Sequence, residues 1–375
     1  MLWLALKTLF YEKGRLMITL VGIIFATVLT LTQVAMYIGM MGNATAIIRH
    51  IDADVWIACK NIQNFDFANP FPEERMNRVK AFPEVLWAER LILSWGFLKL
   101  ANGGLEQVQI VGFNPNTGVG APWSMIVGTP SDVKGGRYMI LDKNSEQRLG
   151  RLELGTTWEL SEKMFKLVGL SQGLKSFTTA PVIFMSYHQA QTLQGLVQEK
   201  QTSFIVAKIK EKGKVKELVK NLRMTMKNND VYTKEGFIYK TVMYWTVQTG
   251  LGMGFFLTAL LGLIVGGAIV GQTIYANTME HLREFGTLKA LGAKNRDIYQ
   301  VIFSQVSISA VIGFTMGSVL ILLARDGIEK GGVTLYLGPE LFFILFLLVL
   351  FTCFLSAYFS VRKVRTLDPV SVFRS

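Results

Sequence analysis

Four stretches of the chain contain no Asp, Glu, Lys or Arg: Leu16–Ile48, Thr241–Met279, Ile298–Ala324 and Leu341–Val361. Each holds the roughly 20 apolar residues with which an α-helix crosses about 30 Å of hydrocarbon. The first two runs exceed one span, so helices are predicted at about 17–41 and 247–275, with the remainders at the interfaces.

The pattern changes between those two runs. Met76, Val79 and Phe82 recur among charges within 72–82, a short helical pattern stopped by Pro83. Strand-like runs follow at Leu91–Leu100 and Glu106–Phe113, joined by Asn102-Gly103-Gly104. Ser203–Ile209 reads as another strand, Glu211-Lys212-Gly213 as a turn, and Val215, Leu218, Val219 and Leu222 as a helical stripe. This echo predicts two halves of one mixed α/β lobe. Residues 114–200 are predicted to form a β-rich subdomain containing Tyr138–Leu141 and Pro181–Ser186, with loops at Asn114–Gly120 and Lys134-Gly135-Gly136.

The predicted fold is an α-helical membrane protein with four transmembrane helices and a large extracytoplasmic mixed α/β domain inserted between helices 1 and 2. Its segments are 1–48, 49–240, 241–279, 280–297, 298–324, 325–340, 341–361 and 362–375. Composition agrees: 50% of the 375 residues are hydrophobic, mean hydropathy is +0.34 and only 18% are charged, which disfavours disorder and points to lipid. Cys59 and Cys353 have neither metal nor redox spacing and exclude a disulfide framework. The apolar Leu16–Met41 segment is longer than a signal-peptide core, so the first helix is expected to remain uncleaved.

The net charge of +12 matters through its placement. Three Lys or Arg lie in the first 15 residues, four in the 18 of 280–297, and four in the 14 of 362–375. The 324–340 connection has only Arg325 and Lys330. The basic flanks predict that both termini face the cytoplasm, with the large domain on the opposite side of the membrane. That insert carries 26 basic and 19 acidic residues, but a segment so long crosses regardless of charge. Its lysine run, Lys208, Lys210, Lys212, Lys214, Lys216 and Lys220, reads first as a solvated face protecting a strand edge, then as a partner or anionic-lipid surface. No stacking motif accompanies it, so nucleic acid is not an expected partner.

Chemistry-bearing motifs are sparse. Gly150–Thr156 has two suggestive glycines but lacks the lysine of an ATP-binding loop. His50, His188 and His281 are scattered, and no nucleophile motif is present, so catalytic and metal residues are expected to be none. The uncharged spans argue against proton coupling and for energy supplied elsewhere. Gly250 and Gly254, Gly262 and Gly266, and Gly267 and Gly271 stand four apart on the second helix, as close helix packing within or between subunits requires; lipid-facing glycines are the alternative.

The most informative connection is Tyr275–Asp297. Met279, Leu282 and Phe285 recur every three residues while Glu280, Arg283 and Glu284 take other faces; a short amphipathic helix is predicted, interrupted at Gly286 and ending near Gly292. Such a helix either lies on the lipid surface or docks on a soluble partner. Glu280–Ala293 closely resembles the E-R-x-R-E-I-G-x-x-K-A-L-G-A segment of FtsX-like and MacB-like ABC transporter permeases. His281 replaces a basic residue of that segment, and Phe285 its isoleucine. Val361–Val370 is similar to the same family's arginine-rich tail ending in Asp-Pro, and Asp52-Ala53-Asp54-Val55-Trp56 with the chain's opening resembles the cyanobacterial DevC group.

The resemblance implies a non-enzymatic permease of the type VII ABC architecture that works by mechanotransmission, in a bacterial inner membrane with its large domain periplasmic. It binds no cofactor itself; ATP and Mg belong to a separate ATPase. The implied partners are a second copy of the chain, two ATPase subunits, membrane lipid, a periplasmic adaptor and, through it, an outer-membrane channel, with glycolipid or another hydrophobic molecule as candidate cargo. The ATPase-coupling residues would be Glu280, His281, Arg283, Glu284, Phe285, Gly286, Lys289 and Gly292, and the tail residues Arg362, Arg365, Asp368 and Pro369. A lipoprotein-releasing or division-associated permease shares the fold, and a membrane-anchored receptor or scaffold is the reading from another class.

Overall fold

A computed structural model describes residues 2–178, 180–193, 200–281, 283–284, 286–287 and 291–364, with 2–5 and 362–364 described by backbone alone. Helix α1 (Leu2–Tyr11) precedes α2 (Lys13–His50), whose 38 residues extend well beyond the predicted 17–41. At 1.5 Å per residue α2 is about 57 Å long. Arg49 and His50 in its last turn complement the helix dipole, and Arg49 Nε donates to Thr45 Oγ1 at 2.9 Å.

Met40–Gly250 form one compact α/β unit. Its strands are β1 (Val55–Cys59), β2 (Phe71–Pro72), β3 (Val85–Lys99), β4 (Leu105–Phe113), β5 (Met125–Val127), β6 (Tyr138–Asp142), β7 (Thr157–Leu160), β8 (Lys163–Ser171), β9 (Val182–Ser186), β10 (Gln201–Thr202), β11 (Phe204–Ile209) and β12 (Asn229–Thr233). The main sheet runs β12-β1-β11-β3-β4-β9-β6-β8-β5, with β7 pairing β3 and β8. β4–β9 and β6–β8 are parallel, and the other pairs are antiparallel. Its helices are α3 (Arg75–Lys80), α4 (Glu146–Leu149), α5 (Tyr187–Gln191), α6 (Val215–Thr225) and α7 (Lys234–Met243).

β3 links the two halves of this unit. Val85–Leu91 pair with β11 and Ile92–Lys99 with β4. The sequence pattern places its start only at Leu91, because Glu89 and Arg90 interrupt the apolar run. Arg90 is paired with Glu73 at 2.8 Å and lies over the Tyr187 ring, so its charge does not break the strand. On one side of the junction Trp56 packs with Phe65, Phe204 and Phe237; on the other, Leu98, Leu160 and Phe165 head a second core. The stripe Leu218, Val219 and Leu222 is buried on α6.

The lysine run does not protect an edge. β11 lies inside the sheet, between β1 and β3. Lys208 is neutralised by Asp52 and by Asp54 at 3.6 Å, and Lys210 Nζ donates to the Pro83 carbonyl at 2.7 Å. Asp54 also accepts from the Ile209 amide at 3.0 Å, which makes Asp52–Trp56 a fastening between β1 and β11.

Met1–Gly39 and Leu251–Ser375 form the other unit, within the limits of the described residues. Its helices are α8 (Leu251–Glu280), α9 (Asn295–Lys330) and α10 (Pro339–Val364). Together with α2 they are four helices long and apolar enough to span a bilayer. The uncharged run Thr241–Met279 is not one helix: α7 ends at Met243, Tyr244–Gln248 is a π-helical turn, and α8 begins after Gly250. Gly250 stands at φ +75°, a left-handed conformation that reorients the chain there.

The glycines of α8 divide into packed and unpacked pairs. A Cβ at Gly266 would come within 2.4 Å of Ala26 Cβ, and one at Gly262 within 2.8 Å of Leu29. Gly267 and Gly271 face Ser356 and Ser360 on α10, where Ser360 Oγ donates to the Gly271 carbonyl at 2.7 Å. Gly250 and Gly254 have nothing within 4 Å, so among the described residues this pair packs against no helix of the same chain. The reason is that Gly250 forms the turn and Gly254 sits in the exposed first turns of α8.

Candidate functional site

The connection after α8 carries the predicted coupling residues. Met279 and Glu280 belong to the last turn of α8 itself, not to a separate short helix. Among the described residues of the connection, Arg283, Glu284, Gly286 and Thr287 are helical. The Leu291 amide donates to the Thr287 carbonyl at 3.0 Å, and Gly292, at φ +97°, turns the chain toward α9. Phe285, Lys289, Arg365, Asp368 and Pro369 lie outside the described residues, as does the Arg362 side chain.

Three coupling residues join a charge cluster with two residues from the chain's beginning. Glu12, between α1 and α2, pairs with Arg15 at 2.8 Å and with His281 Nε2. Arg15 also pairs with Glu280 at the end of α8, and His281 Nδ1 lies 3.0 Å from Glu284. Glu12 and His281 are each 18% exposed in their side chains, whereas Glu284 is 72% exposed, so the inner pair is less screened by water. Burial pulls the His281 pKa down, but hydrogen bonds and charge from Glu12 and Glu284 outweigh it and hold the pKa above its ordinary value. Beside the cluster, Thr8, Glu12, Arg15, Thr19, Asn277 and Ser309 supply the polar part of a small, mostly apolar pocket, and Asn277 Oδ1 is buried without a hydrogen-bond partner.

Sequence reasoning missed Glu12. Its signal is nonetheless present: it is the only acidic residue among the first 51. Lys7, Lys13 and Arg15 read as topology charges, and the meaning of one acid among them appears only when α2 and α8 lie together.

The α/β unit offers a second concave surface, a cleft of about 640 Å³ lined by Glu89, Arg90, Asn114, Lys134, His188 and Gln189 among others. It is set by the predicted loops at Asn114 and Lys134 together with the start of α5. Elsewhere in the unit, Asp66 is buried and accepts from Trp245 Nε1 and Gln109 Nε2, each at 3.2 Å. Phe177 stacks on Trp245 with ring centroids 3.6 Å apart. Burial pushes the Asp66 carboxyl up to about 6 against these hydrogen bonds.

Residues 16–224 match the MacB-like periplasmic core domain, and residues 256–369 the FtsX-like permease C-terminal region. The chain belongs to the FtsX-like and MacB-like ABC transporter permeases. An uncharacterized ABC transporter permease of Mycobacterium tuberculosis strain H37Rv is 25% identical over 334 residues, 85% of each chain. Another from the same strain is 24% identical over 379 residues, covering 100% of this chain and 99% of its own. The periplasmic region of MacB from Actinobacillus actinomycetemcomitans covers 50% of this chain and 92% of its own at 15% identity, with a TM-score of 0.37. As an ABC permease with four apolar helices and a MacB-like domain, this is a membrane protein with an external module.

Proposed function

We propose that this permease is the non-catalytic membrane subunit of an ATP-driven tripartite exporter that works by mechanotransmission. Two copies, with both termini cytoplasmic in a bacterial inner membrane, associate with two ATPase subunits through 279–293. Nucleotide-driven closure of the ATPases shifts the dimer between two conformations, and the α/β units pass that movement to a periplasmic adaptor and an outer-membrane channel. A lipid or another hydrophobic molecule is the cargo class, as the resemblance to the DevC group implies. ATP and Mg act in the ATPase.

The observation that carries this reading is the junction at the end of α8, where Glu280 and His281 are tied to Arg15 and Glu12. A partner pulling on the connection therefore pulls on both α8 and the start of α2. Affinity purification in mild detergent, with identification of every copurifying protein, tests it. An ATPase should copurify, and Glu284→Ala should lower its vanadate-sensitive hydrolysis at least several-fold. An assembly without an ATPase, or hydrolysis coupled normally after residues 279–293 are scrambled, would refute it.

A further inference from the structure

We propose that Glu12 is a positioning residue for the coupling segment, acting through an imidazolium at His281, so that its hold on Glu284 is released when that imidazole loses its proton. This rests on the reading of 279–293 as the ATPase contact and adds a regulatory input to that site. The argument is geometric. Both ring nitrogens of His281 face carboxylates, Nε2 toward Glu12 and Nδ1 toward Glu284 at 3.0 Å. A neutral imidazole carries one N–H, so one nitrogen would turn its lone pair against a carboxylate; only the imidazolium donates to both.

The surrounding charges make that proton consequential. From α2 comes Arg15, already engaged by Glu12 and Glu280; from α8 comes Glu280; from the connection itself comes Glu284. Arg283, on the same turn, is exposed. α9 contributes the uncharged Gln305 and Ser309 to the pocket beside Glu12. Protonated His281 and Arg15 together face three carboxylates. Loss of the proton removes one cation from a cluster that holds three carboxylates, and the exposed Glu284 loses its imidazolium partner.

An arginine at this position would keep its charge at every working pH, whereas histidine makes the hold conditional. Because Glu12 and Glu284 raise the imidazole's pKa, the clamp is complete in acid and is lost as pH rises through that raised midpoint. Glu12 sets the midpoint as well as the geometry, since it is the less exposed of the two carboxylates.

The test uses the full chain in nanodiscs, with and without its copurified ATPase. Nitrogen-15 NMR of labelled histidine reads the His281 midpoint, the other two resonances being assigned with His50→Gln and His188→Gln. Glu12→Gln should lower that midpoint by about one pH unit, and Glu12→Asp should restore part of the shift. In the complex, stimulated hydrolysis should fall several-fold as pH rises through the same midpoint, the fall should move with Glu12→Gln, and His281→Arg should flatten it. A His281 midpoint unmoved by Glu12→Gln, or an unaltered activity profile in His281→Arg, overturns the proposal. Should no ATPase copurify, the functional reading fails while the NMR midpoint still decides the clamp.

Discussion

Asp66 is a carboxylic acid sealed within the α/β unit, and its effect on stability has a definite sign. Its pKa rises from an ordinary 3.8 to about 6 in the folded chain, so the unfolded chain gives up the proton first. Stability is therefore unaffected by this group below about pH 4 and declines as pH climbs toward 6, by about 3 kcal/mol for a shift of roughly two units. Thermal melting of the full chain between pH 4 and 7 should show that decline, and Asp66→Asn should make it shallower whatever its own melting point. Neither Asp66 nor Glu12 is conspicuous in the sequence, because their partners Trp245 and His281 lie 179 and 269 positions away. Glu280 and His281 were legible from a local motif, but not what they touch.

At the scale of elements, spacing alone does not separate a packing glycine from an idle one. Gly266→Leu forces a side chain into the backbone approach between α2 and α8 and should cost about 1–3 kcal/mol. Gly254→Ala meets open space and should be neutral or stabilising by up to about 1 kcal/mol, since alanine favours a helix. Unfolding of both variants in the same detergent checks the contrast. The long apolar runs and the α6 stripe were readable because each repeats one physical signal over many residues. The break at Gly250 and the early start of β3 were not. The first depends on a backbone angle, and the second on partners far away in the chain, Glu73 and the Tyr187 ring for Arg90 and Asn114 for Glu89.

For the molecule as a whole, chain order and hydropathy announced two kinds of material: apolar helices and an α/β insert. The arrangement of the insert's strands was not legible, because β1, β11 and β12 come from opposite ends of it and only meet in the sheet. Trp56→Ala should cost about 3–5 kcal/mol by emptying the aromatic cluster between them, measured by chemical unfolding. Orientation can be tested in intact spheroplasts with single cysteines introduced at Gly135 and Lys294. An impermeant maleimide should modify the first and leave the second untouched. Finally, the passage of β3 through both cores leaves no natural seam at which the insert could come apart. Amides near Leu91 and Ile92 should exchange with deuterium as slowly as those at either end of the strand, so one half could not melt while its neighbour stayed folded.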